Sequence, residues 1–365
     1  MGSAPQTDMQ DIEAVSGRLL QSFLGTMDTF AIYLGLRLGW YESLTRDGPA
    51  TSTQLAARTH TNERYAREWL EQQAASGLLL VDDLAAESAI RTFRITPAFA
   101  EALTDRDSLF YLAPLARSFA ALLRQIDPLV EAYRTGGGVS WAQFGEEMRT
   151  AQGDANRPFF LRSFAQDVLP AIADVHDRLR ADPPARVADI ACGMGWSSIG
   201  LATAYPRITV DGYDIDVPSI AQAQKNAAAA GVAERVRFHA RDAGDPALAG
   251  SYDLALVTEA VHDMARPVEV LRSMRRLVAP GGAALVVDER TADALAAPAD
   301  DMERLFYGYS LLCCLPDGMS QQPSAATGTV MRPATLRRYA TEAGFRAVEP
   351  LEVEAGFFRV YRLVV

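Results

Sequence analysis

Residues 187–196, VADIACGMGW, decide the fold of this chain, because they join an apolar strand to a helix through a turn of small residues. The run 187–191 predicts a buried strand, and a predicted helix begins at Ser197. Gly193 and Gly195 let the backbone approach a ligand closely, and a helix N-terminus offers unpaired N–H groups. The segment therefore predicts a ligand-binding turn between a strand and a helix.

Short apolar runs alternate with helical stretches after this turn, which favours parallel βαβ units. Two further apolar segments close the chain and predict an antiparallel hairpin at the sheet edge. The sequence thus predicts an α/β fold with a Rossmann-like, mostly parallel sheet of seven strands. The strands predicted after the first are 209–213, 236–239, 254–257, 283–287, 347–354 and 357–364.

The part of the chain before this turn predicts a mainly α-helical, winged-helix domain. Residues 12–45 carry apolar side chains at helical spacing, and further helices are predicted to start near Thr51 and Asn62. Two short apolar strands, 78–81 and 90–95, would form the wing. The stretch that follows is predicted to be helical, with a glycine run that is either a simple loop or the hinge of a lid over residues 136–150. We predict three parts: a winged-helix domain at 1–107, a helical linker and lid region at 108–182, and the Rossmann-like domain at 183–365.

Composition places the chain among ordinary globular proteins. Its 365 residues exceed what one hydrophobic core usually holds, and 49% of them are hydrophobic while 22% are charged. No apolar stretch reaches the roughly 18 residues that a membrane helix needs, and the first ten residues lack a secretion signal, so we expect a cytoplasmic protein. The three cysteines show no metal-ligand spacing and are expected to be reduced. The net charge of −11 argues against a nucleic-acid partner.

The next predicted strand ends in an acidic residue, Asp214, where a carboxylate can accept hydrogen bonds from both hydroxyls of a ribose. The turn lacks the third glycine of a dinucleotide site, because Ser198 stands in its place. S-adenosylmethionine (SAM) has no phosphate, and its amino-acid half carries an ammonium group that suits an acidic Asp189. The turn therefore favours SAM over a dinucleotide.

Residues 186–290 resemble the class I SAM-dependent methyltransferases. The acidic residue and alternating glycines of that family's first motif are kept, with Ala191 at the place of the first glycine. The segment 277–282, LVAPGG, is similar to the family's turn before the fifth strand. The resemblance implies that the turn holds the methionine half of SAM, that Asp214 binds the ribose, and that Asp242 accepts a hydrogen bond from the adenine amino group. The cofactor-binding residues expected on this basis are Asp189, Ala191, Gly193, Gly195, Asp214, Ile215, Asp242, Ala243 and Glu259.

One of the four histidines, His262, follows the predicted fourth strand at the edge where α/β sheets bind ligands. A hydroxyl acceptor must lose its proton during methyl transfer, and histidine suits that role near neutral pH. Asp263 follows it and is either part of the site or the N-cap of the next helix.

The layout resembles the plant caffeate-type O-methyltransferases, which pair a winged-helix dimerisation domain with a His-Asp after the fourth strand. That resemblance implies that His262 is the general base, assisted by a carboxylate at Asp288–Glu289, for which we choose Asp288. Residues 307–319 and 328–333 are similar to a group of actinobacterial winged-helix methyltransferases of poorly known substrate. We expect a homodimer through Leu19, Phe23, Phe30 and Leu34 that methylates a small-molecule metabolite on oxygen.

Three alternatives stay open. A carboxylate acceptor is already ionised at pH 7 and would need no base. A SAM-sensing DNA-binding regulator is a different class, although residues 1–110 carry 9 arginines against 15 acidic residues, and DNA binding depends on neutralising phosphates. An electrophoretic mobility shift at low salt separates that class from an enzyme. A SAM fold that catalyses another reaction is the third alternative.

Overall fold

The structure is a computed structural model that describes residues 9–365. The first eight residues lie outside it, and with them most of the stretch on which the expectation about a secretion signal rests. The chain forms two compact units, Met1–Ala120 and Ala121–Val365. The division into three parts at residues 107 and 182 stays a prediction. Within the described residues, no helix combines the length and the apolar character needed to cross a bilayer.

The first unit consists of helices and a two-stranded wing. Thr51 caps one helix through the backbone N–H of Gln54, and Asn62 caps the next through Arg64, as the sequence predicted. The wing strands pair antiparallel but are only two residues long, shorter than predicted. The elements are α1 (Met9–Arg37), α2 (Trp40–Arg46), α3 (Ser52–Thr59), α4 (Glu63–Ala75), β1 (Leu80–Val81), β2 (Phe93–Arg94), α5 (Pro97–Thr104) and α6 (Ala113–Leu123), the last of which runs into the second unit.

Aromatic side chains form the core of the first unit. The ring centroids of Trp40 and Trp69 lie 4.7 Å apart, and the Trp69 indole donates a hydrogen bond to the carbonyl of Ala31 in α1. A Cβ at Gly35 would collide with the Trp69 ring, so the second half of α1 packs closely onto α4. The first half of α1 instead exposes its apolar side chains.

The second unit begins with helices that precede the sheet. Gly145 interrupts α8 with φ 79° and ψ −168°, a conformation outside the helical region, so that this helix is kinked. The elements are α7 (Ile126–Thr135), α8 (Trp141–Pro158), a π-helical segment (Phe159–Val168) and α9 (Ala173–Arg180).

The sheet of the second unit has seven strands in the order β5-β4-β3-β6-β7-β9-β8. The first five are parallel, while β9 pairs antiparallel with both β7 and β8, so the predicted fold class is confirmed. The strands and helices are β3 (Arg186–Ile190), α10 (Trp196–Ala204), β4 (Thr209–Asp214), α11 (Val217–Ala229), β5 (Val236–Ala240), β6 (Tyr252–Thr258), α12 (Pro267–Leu277), β7 (Val278–Glu289), α13 (Asp301–Tyr309), a second π-helical segment (Ser310–Cys314), α14 (Leu315–Met319), α15 (Pro333–Glu342), β8 (Ala347–Pro350) and β9 (Phe358–Val364).

Helices cover both faces of this sheet because successive strand residues point to opposite sides. Val187 packs with Phe164 and Ile199 on one face, whereas Ala188 packs with Leu271 on the other. Both faces are therefore apolar, which explains the continuous apolar runs in the sequence.

Two strands of the large sheet differ from their predicted bounds by four residues or more. β7 begins at Val278 rather than at 283, and its register with β6 shifts at a bulge that takes up the predicted glycine turn. β8 ends at Pro350 rather than at 354; proline has no backbone N–H to donate to a ladder.

The chain order reverses between β3 and β6, which are neighbours in the sheet although β4 and β5 lie between them in sequence. In open α/β sheets, ligands bind at the carboxyl ends of the strands at such a switch point. The loops after β3 and β6 carry the glycine turn and His262, respectively, so the fold brings both to this crevice.

Candidate active site

The turn after β3 follows a left-handed path. Ala191, Gly193 and Gly195 have φ values of 54°, 50° and 79°. Glycine adopts this conformation freely, whereas Ala191 bears a strain of about 1–2 kcal/mol. A Cβ at Gly193 would meet nothing within 4 Å, so this part of the backbone faces open space. Gly195 is the N-cap of α10 and offers no side chain to the first turn of the helix, where Asp189 accepts the N–H of Ser198.

Gly195 is required for a second reason. A Cβ there would lie 2.5 Å from Cζ of Phe238. We expect Gly195→Ala to lower the free energy of unfolding by about 2–5 kcal/mol, from backbone strain plus overpacking. The matched control is Gly193→Ala, which adds only backbone strain of about 1–2 kcal/mol. Chemical denaturation of both variants checks this, and equal losses would contradict the proposed contact with Phe238.

Asp189 is buried beneath the turn, with 1% of its surface exposed. Its carboxylate accepts hydrogen bonds from the hydroxyls of Ser197 and Ser198 at the start of α10. Burial raises the pKa of Asp189 to about 6, although both hydroxyls act against that rise. Asp189 thus links β3 to the start of α10 and stabilises the turn between them. Its contact with a cofactor stays a prediction.

Asp214 at the end of β4 links that strand to the turn. One carboxylate oxygen accepts the N–H of Gly193 at 2.8 Å, and the other accepts the N–H of Asp216 at 2.8 Å. Burial raises the pKa of Asp214. Ile215, which follows it, is exposed. The carboxylate is thus fixed beside the turn, and its role as a ribose ligand stays a prediction.

The residues expected beside an adenine lie after β5. Asp242 is half-exposed, accepts the N–H of Gly244 at 2.7 Å and pairs with Arg266 at 3.2 Å, while Ala243 is buried. Since β5, β4 and β3 are adjacent and parallel, their carboxyl ends share one edge. The structure therefore brings the three predicted cofactor-binding loops to the same edge.

Glu259 lies directly after β6 with φ 52°, a left-handed conformation that is rare for a residue with a side chain. Its carboxylate accepts a hydrogen bond from Nδ2 of Asn156 at 2.6 Å and another from Gln152. Burial raises the pKa of Glu259 to about 7, while the charge of His262 opposes the rise. This carboxyl group changes its charge near neutral pH.

The His262 imidazole is 2% exposed and faces two carboxylates. Nδ1 lies 2.9 Å from Oδ1 of Asp288 and 3.1 Å from Oε2 of Glu289. Burial alone would lower the pKa of His262, but the charges of Glu289 and Asp288 outweigh it and raise that pKa well above its usual range. Because Nδ1 is engaged by carboxylates, Nε2 is the nitrogen left for proton exchange with an acceptor.

The pKa values of the two carboxyl groups beside His262 are shifted in opposite directions. Burial acts to raise the pKa of Asp288, but the charge and the hydrogen bond of His262 outweigh burial, so that this pKa is lowered. The pKa of Glu289 is raised, because burial is its largest influence. These groups place potential metal-ligand atoms within 4.8 Å of one another. The imidazolium already neutralises the ionised carboxylate, so we interpret the cluster as an ion pair.

Asp263 lies on another side of the His262 ring, together with Cys314. Burial raises the pKa of Asp263 to about 8, so its carboxyl group is largely protonated at neutral pH. The alternative that Asp263 is the N-cap of α12 is wrong, because Arg266 occupies that position. Asp263 therefore belongs to the surroundings of His262.

The other histidines have local partners. His176 bonds the hydroxyl of Tyr205 at 2.9 Å, and His239 lies 3.0 Å from a carboxylate oxygen of Asp211 within the sheet. His60 ends α3 in a left-handed conformation. Their positions agree with the choice of His262 as the histidine of the crevice.

Four side chains of the crevice were missed by sequence reasoning: Cys314, Asn156, Gln152 and Arg149. Alternation along a strand separates Glu289 from Asp288, yet both reach His262 where β7 ends. Cys314 bonds the His262 ring from the second π-helical segment, and such segments often mark functional sites. Nothing in the sequence around Asn156 or Arg149 indicates their long-range contacts.

Comparison with known families agrees with this geometry. A family described as a methyltransferase domain matches residues 181–326, and an Rv2258c-like winged HTH domain matches residues 26–104. The 27-O-demethylrifamycin SV methyltransferase of Amycolatopsis mediterranei is 32% identical over 121 residues, which are 33% of this chain and 44% of that protein. The chain thus spans less than half the length of this curated relative.

Solved structures share the whole layout at low sequence identity. The mitomycin 7-O-methyltransferase MmcR is 22% identical with a TM-score of 0.75, covering 98% of this chain and 99% of that one. Human N-acetylserotonin methyltransferase in complex with SAM is 19% identical with a TM-score of 0.66, covering 100% and 99%. Residues 181–326 thus match a methyltransferase domain and residues 26–104 a winged HTH domain, and the solved methyltransferases share the fold of the chain.

Proposed function

We propose that this protein is a SAM-dependent O-methyltransferase that methylates a hydroxyl group of a small, apolar or aromatic metabolite. The observation that carries the proposal is the His262 imidazole, held at Nδ1 by Asp288 and Glu289 beside the glycine turn. A relative that acts on demethylrifamycin and a structural neighbour that acts on mitomycin support a substrate from secondary metabolism.

The crevice fits SAM in its chemistry. Gly193 presents backbone to open space, the N-cap of α10 has no side chain, and carboxylates lie at or just after the ends of β4, β5 and β6. Asp214 is positioned for the ribose hydroxyls, and Glu259 for the ammonium of the methionine half. Bound SAM would supply a methyl group already activated by its sulfonium charge.

The residues of the chain would then contribute orientation and proton transfer. Asp288 holds Nδ1 of His262 and so directs Nε2 towards an acceptor hydroxyl. Because the carboxylates raise the pKa of His262, the ring is a strong base once deprotonated, and turnover should increase as pH rises above neutral. Positioning of acceptor and methyl group supplies the rest of the rate enhancement.

A hydroxyl acceptor is favoured over the carboxylate alternative by the pairing of Arg332. Arg332, a candidate partner for a substrate carboxylate, instead pairs with Glu303 at 2.8 Å and bonds the carbonyl of Ala292. A substrate carboxylate would have to compete with Glu303 for this guanidinium.

A methyl-transfer assay tests the proposal. The purified chain is incubated with methyl-labelled SAM and matched pairs of small aromatic compounds that carry either a hydroxyl or a carboxyl group. We expect label in the phenolic compounds and base-stable ether products. Label confined to carboxyl compounds, as base-labile esters, would contradict hydroxyl methylation while leaving SAM dependence intact.

We also propose that α1 forms a homodimer interface. Exposed apolar side chains recur every three or four residues along it, which places them on one stripe. Leu19, Phe23 and Leu34 are exposed by half or more, and Phe30 is half-buried. Sedimentation equilibrium tests this proposal, and a monomer at micromolar concentration would contradict it.

The winged-helix unit is a poor match for DNA. The arginines of α4 are neutralised within the helix, since Arg64 pairs with Glu68 and Arg67 pairs with Glu63. DNA binding relies on arginines and lysines that are free to neutralise phosphates. We therefore propose that this unit serves dimerisation rather than gene regulation.

A further inference from the structure

Helix α8 contacts three of the loops that follow strands of the crevice. After the kink at Gly145, residues Arg149, Gln152 and Asn156 recur at spacings that place them on one face of the helix. Arg149 forms a bidentate ion pair with Asp216 after β4: Nε lies 2.7 Å from Oδ2 and Nη2 lies 2.9 Å from Oδ1. Gln152 and Asn156 both bond Glu259 after β6.

The glycine turn after β3 is the third loop that α8 contacts. A Cβ at Gly153 would collide with Sδ of Met194, and the Arg157 guanidinium lies 5.1 Å from the ring centroid of Trp196. One helix thus holds all three loops through side chains that the sequence does not connect with a cofactor.

The contact with Glu259 has the most direct chemical consequence. This residue keeps a left-handed backbone, which persists only when the surroundings fix it. The amides of Asn156 and Gln152 fix its side chain, while its N–H bonds the carbonyl of Val287 at 2.8 Å. Both amides bond the carboxylate, so they favour its ionised form.

We propose that Asn156 and Gln152 are positioning residues of the cofactor site: they hold the Glu259 carboxylate, ionised, where the cofactor's ammonium group binds. The proposal rests on the SAM-binding function proposed above and extends it to a helix outside the Rossmann-like region. On this proposal, α8 orients the Glu259 carboxylate that binds the amino-acid half of SAM.

A pH dependence follows from the groups that face Glu259. Burial raises the pKa of this carboxyl to about 7; His262 lowers it, Asp288 raises it, and from α8 the amides of Asn156 and Gln152 lower it. Asp263 also interacts electrostatically with Glu259, and the charge of Glu259 raises the pKa of Asp263. Ligands with an ammonium should therefore bind more tightly as pH rises through 7. Removing an amide raises the pKa of Glu259 and moves this rise in affinity to higher pH.

The experiment titrates the full chain calorimetrically from pH 6 to 8.5 with two ligands. S-adenosylhomocysteine (SAH) has the ammonium without the sulfonium charge, and 5′-methylthioadenosine lacks the amino-acid half altogether. For Asn156→Ala we expect about tenfold weaker SAH binding at pH 6.5, recovery towards pH 8.5, and unchanged methylthioadenosine binding. Asn156→Gln, which keeps an amide, should restore part of the SAH affinity.

Three further variants sharpen the test. Glu259→Gln should bind SAH weakly with no dependence on pH near 7. Thr150→Ala is the matched control, because its hydroxyl bonds the Glu146 carbonyl of its own helix, and it should leave both ligands unaffected. Gln152→Ala should resemble Asn156→Ala and replaces it if that variant fails to fold.

The outcomes separate the two proposals. If the unchanged protein binds neither SAM nor SAH, the proposed function fails. The positioning role alone is wrong if the unchanged protein binds both ligands but the variants do not behave as expected. That is the case if Asn156→Ala and Gln152→Ala weaken the binding of methylthioadenosine as much as that of SAH, or if they leave the pH dependence of SAH binding unchanged.

Discussion

His262→Ala should lower kcat about 10²- to 10⁴-fold while SAM affinity at pH 8 changes little, which is the range expected for loss of a general acid–base group. The reason is geometric: Asp288 bonds Nδ1, so we propose that the ring takes up the proton of the acceptor through Nε2. Single-turnover methyl transfer measures the chemical step directly. Unchanged turnover would remove His262 from the mechanism and revive the carboxylate acceptor.

This variant needs a stability control, because it leaves Asp288 and Glu289 buried without their cation. Removing one member of a buried pair costs about 3–5 kcal/mol. The double variant His262→Ala with Asp288→Asn relieves that penalty and should be as inactive as the single one. His239→Ala is the matched histidine control, since its ring bonds Asp211 within the sheet, and it should retain turnover.

Asp214→Ala should weaken SAM binding about 10²-fold, which corresponds to losing one or two hydrogen bonds to a charged group. The loss has two sources: the proposed ribose contacts, and the N–H groups of Gly193 and Asp216, which lose their acceptor. Asp214→Asn keeps the shape of the side chain but loses one acceptor for an N–H group. Its SAM affinity should lie between those of Asp214→Ala and the unchanged protein.

Asp253 offers a matched carboxylate at the opposite end of the sheet. It pairs with Arg178 at 2.8 Å and accepts the N–H of Arg186 where β6 begins, far from the carboxyl ends of the strands. Asp253→Asn should therefore leave SAM affinity unchanged. Retained affinity in Asp214→Ala, or equal losses in both variants, would show that the cofactor motif has been placed wrongly.

Features encoded within a few residues could be predicted from the sequence. Gly193 and Gly195 have a left-handed backbone, and the glycines themselves indicate this conformation in the sequence. The caps at Thr51 and Asn62 and the alternation of strands and helices are also local signals. The fold class and the position of His262 at the sheet edge followed from them.

Contacts between distant segments could not be predicted. Asn156 and Glu259 are 103 residues apart, and no pattern around either one indicates the other. The role of Asp189 illustrates a subtler gap, because an acidic residue before a glycine turn can face a ligand or brace the turn. The hydrogen bonds from Ser197 and Ser198, which only the folded chain shows, brace the turn, while the contact of Asp189 with a cofactor stays a prediction.

Calorimetric titration of the purified chain with SAM and SAH tests the central claim most directly. We expect saturable binding of both at micromolar concentration, one molecule per chain, with the affinity lost in Asp214→Ala. Absence of binding to either ligand by a folded protein would contradict the cofactor site. The regulator and the other non-methylating alternatives would then have to be considered first.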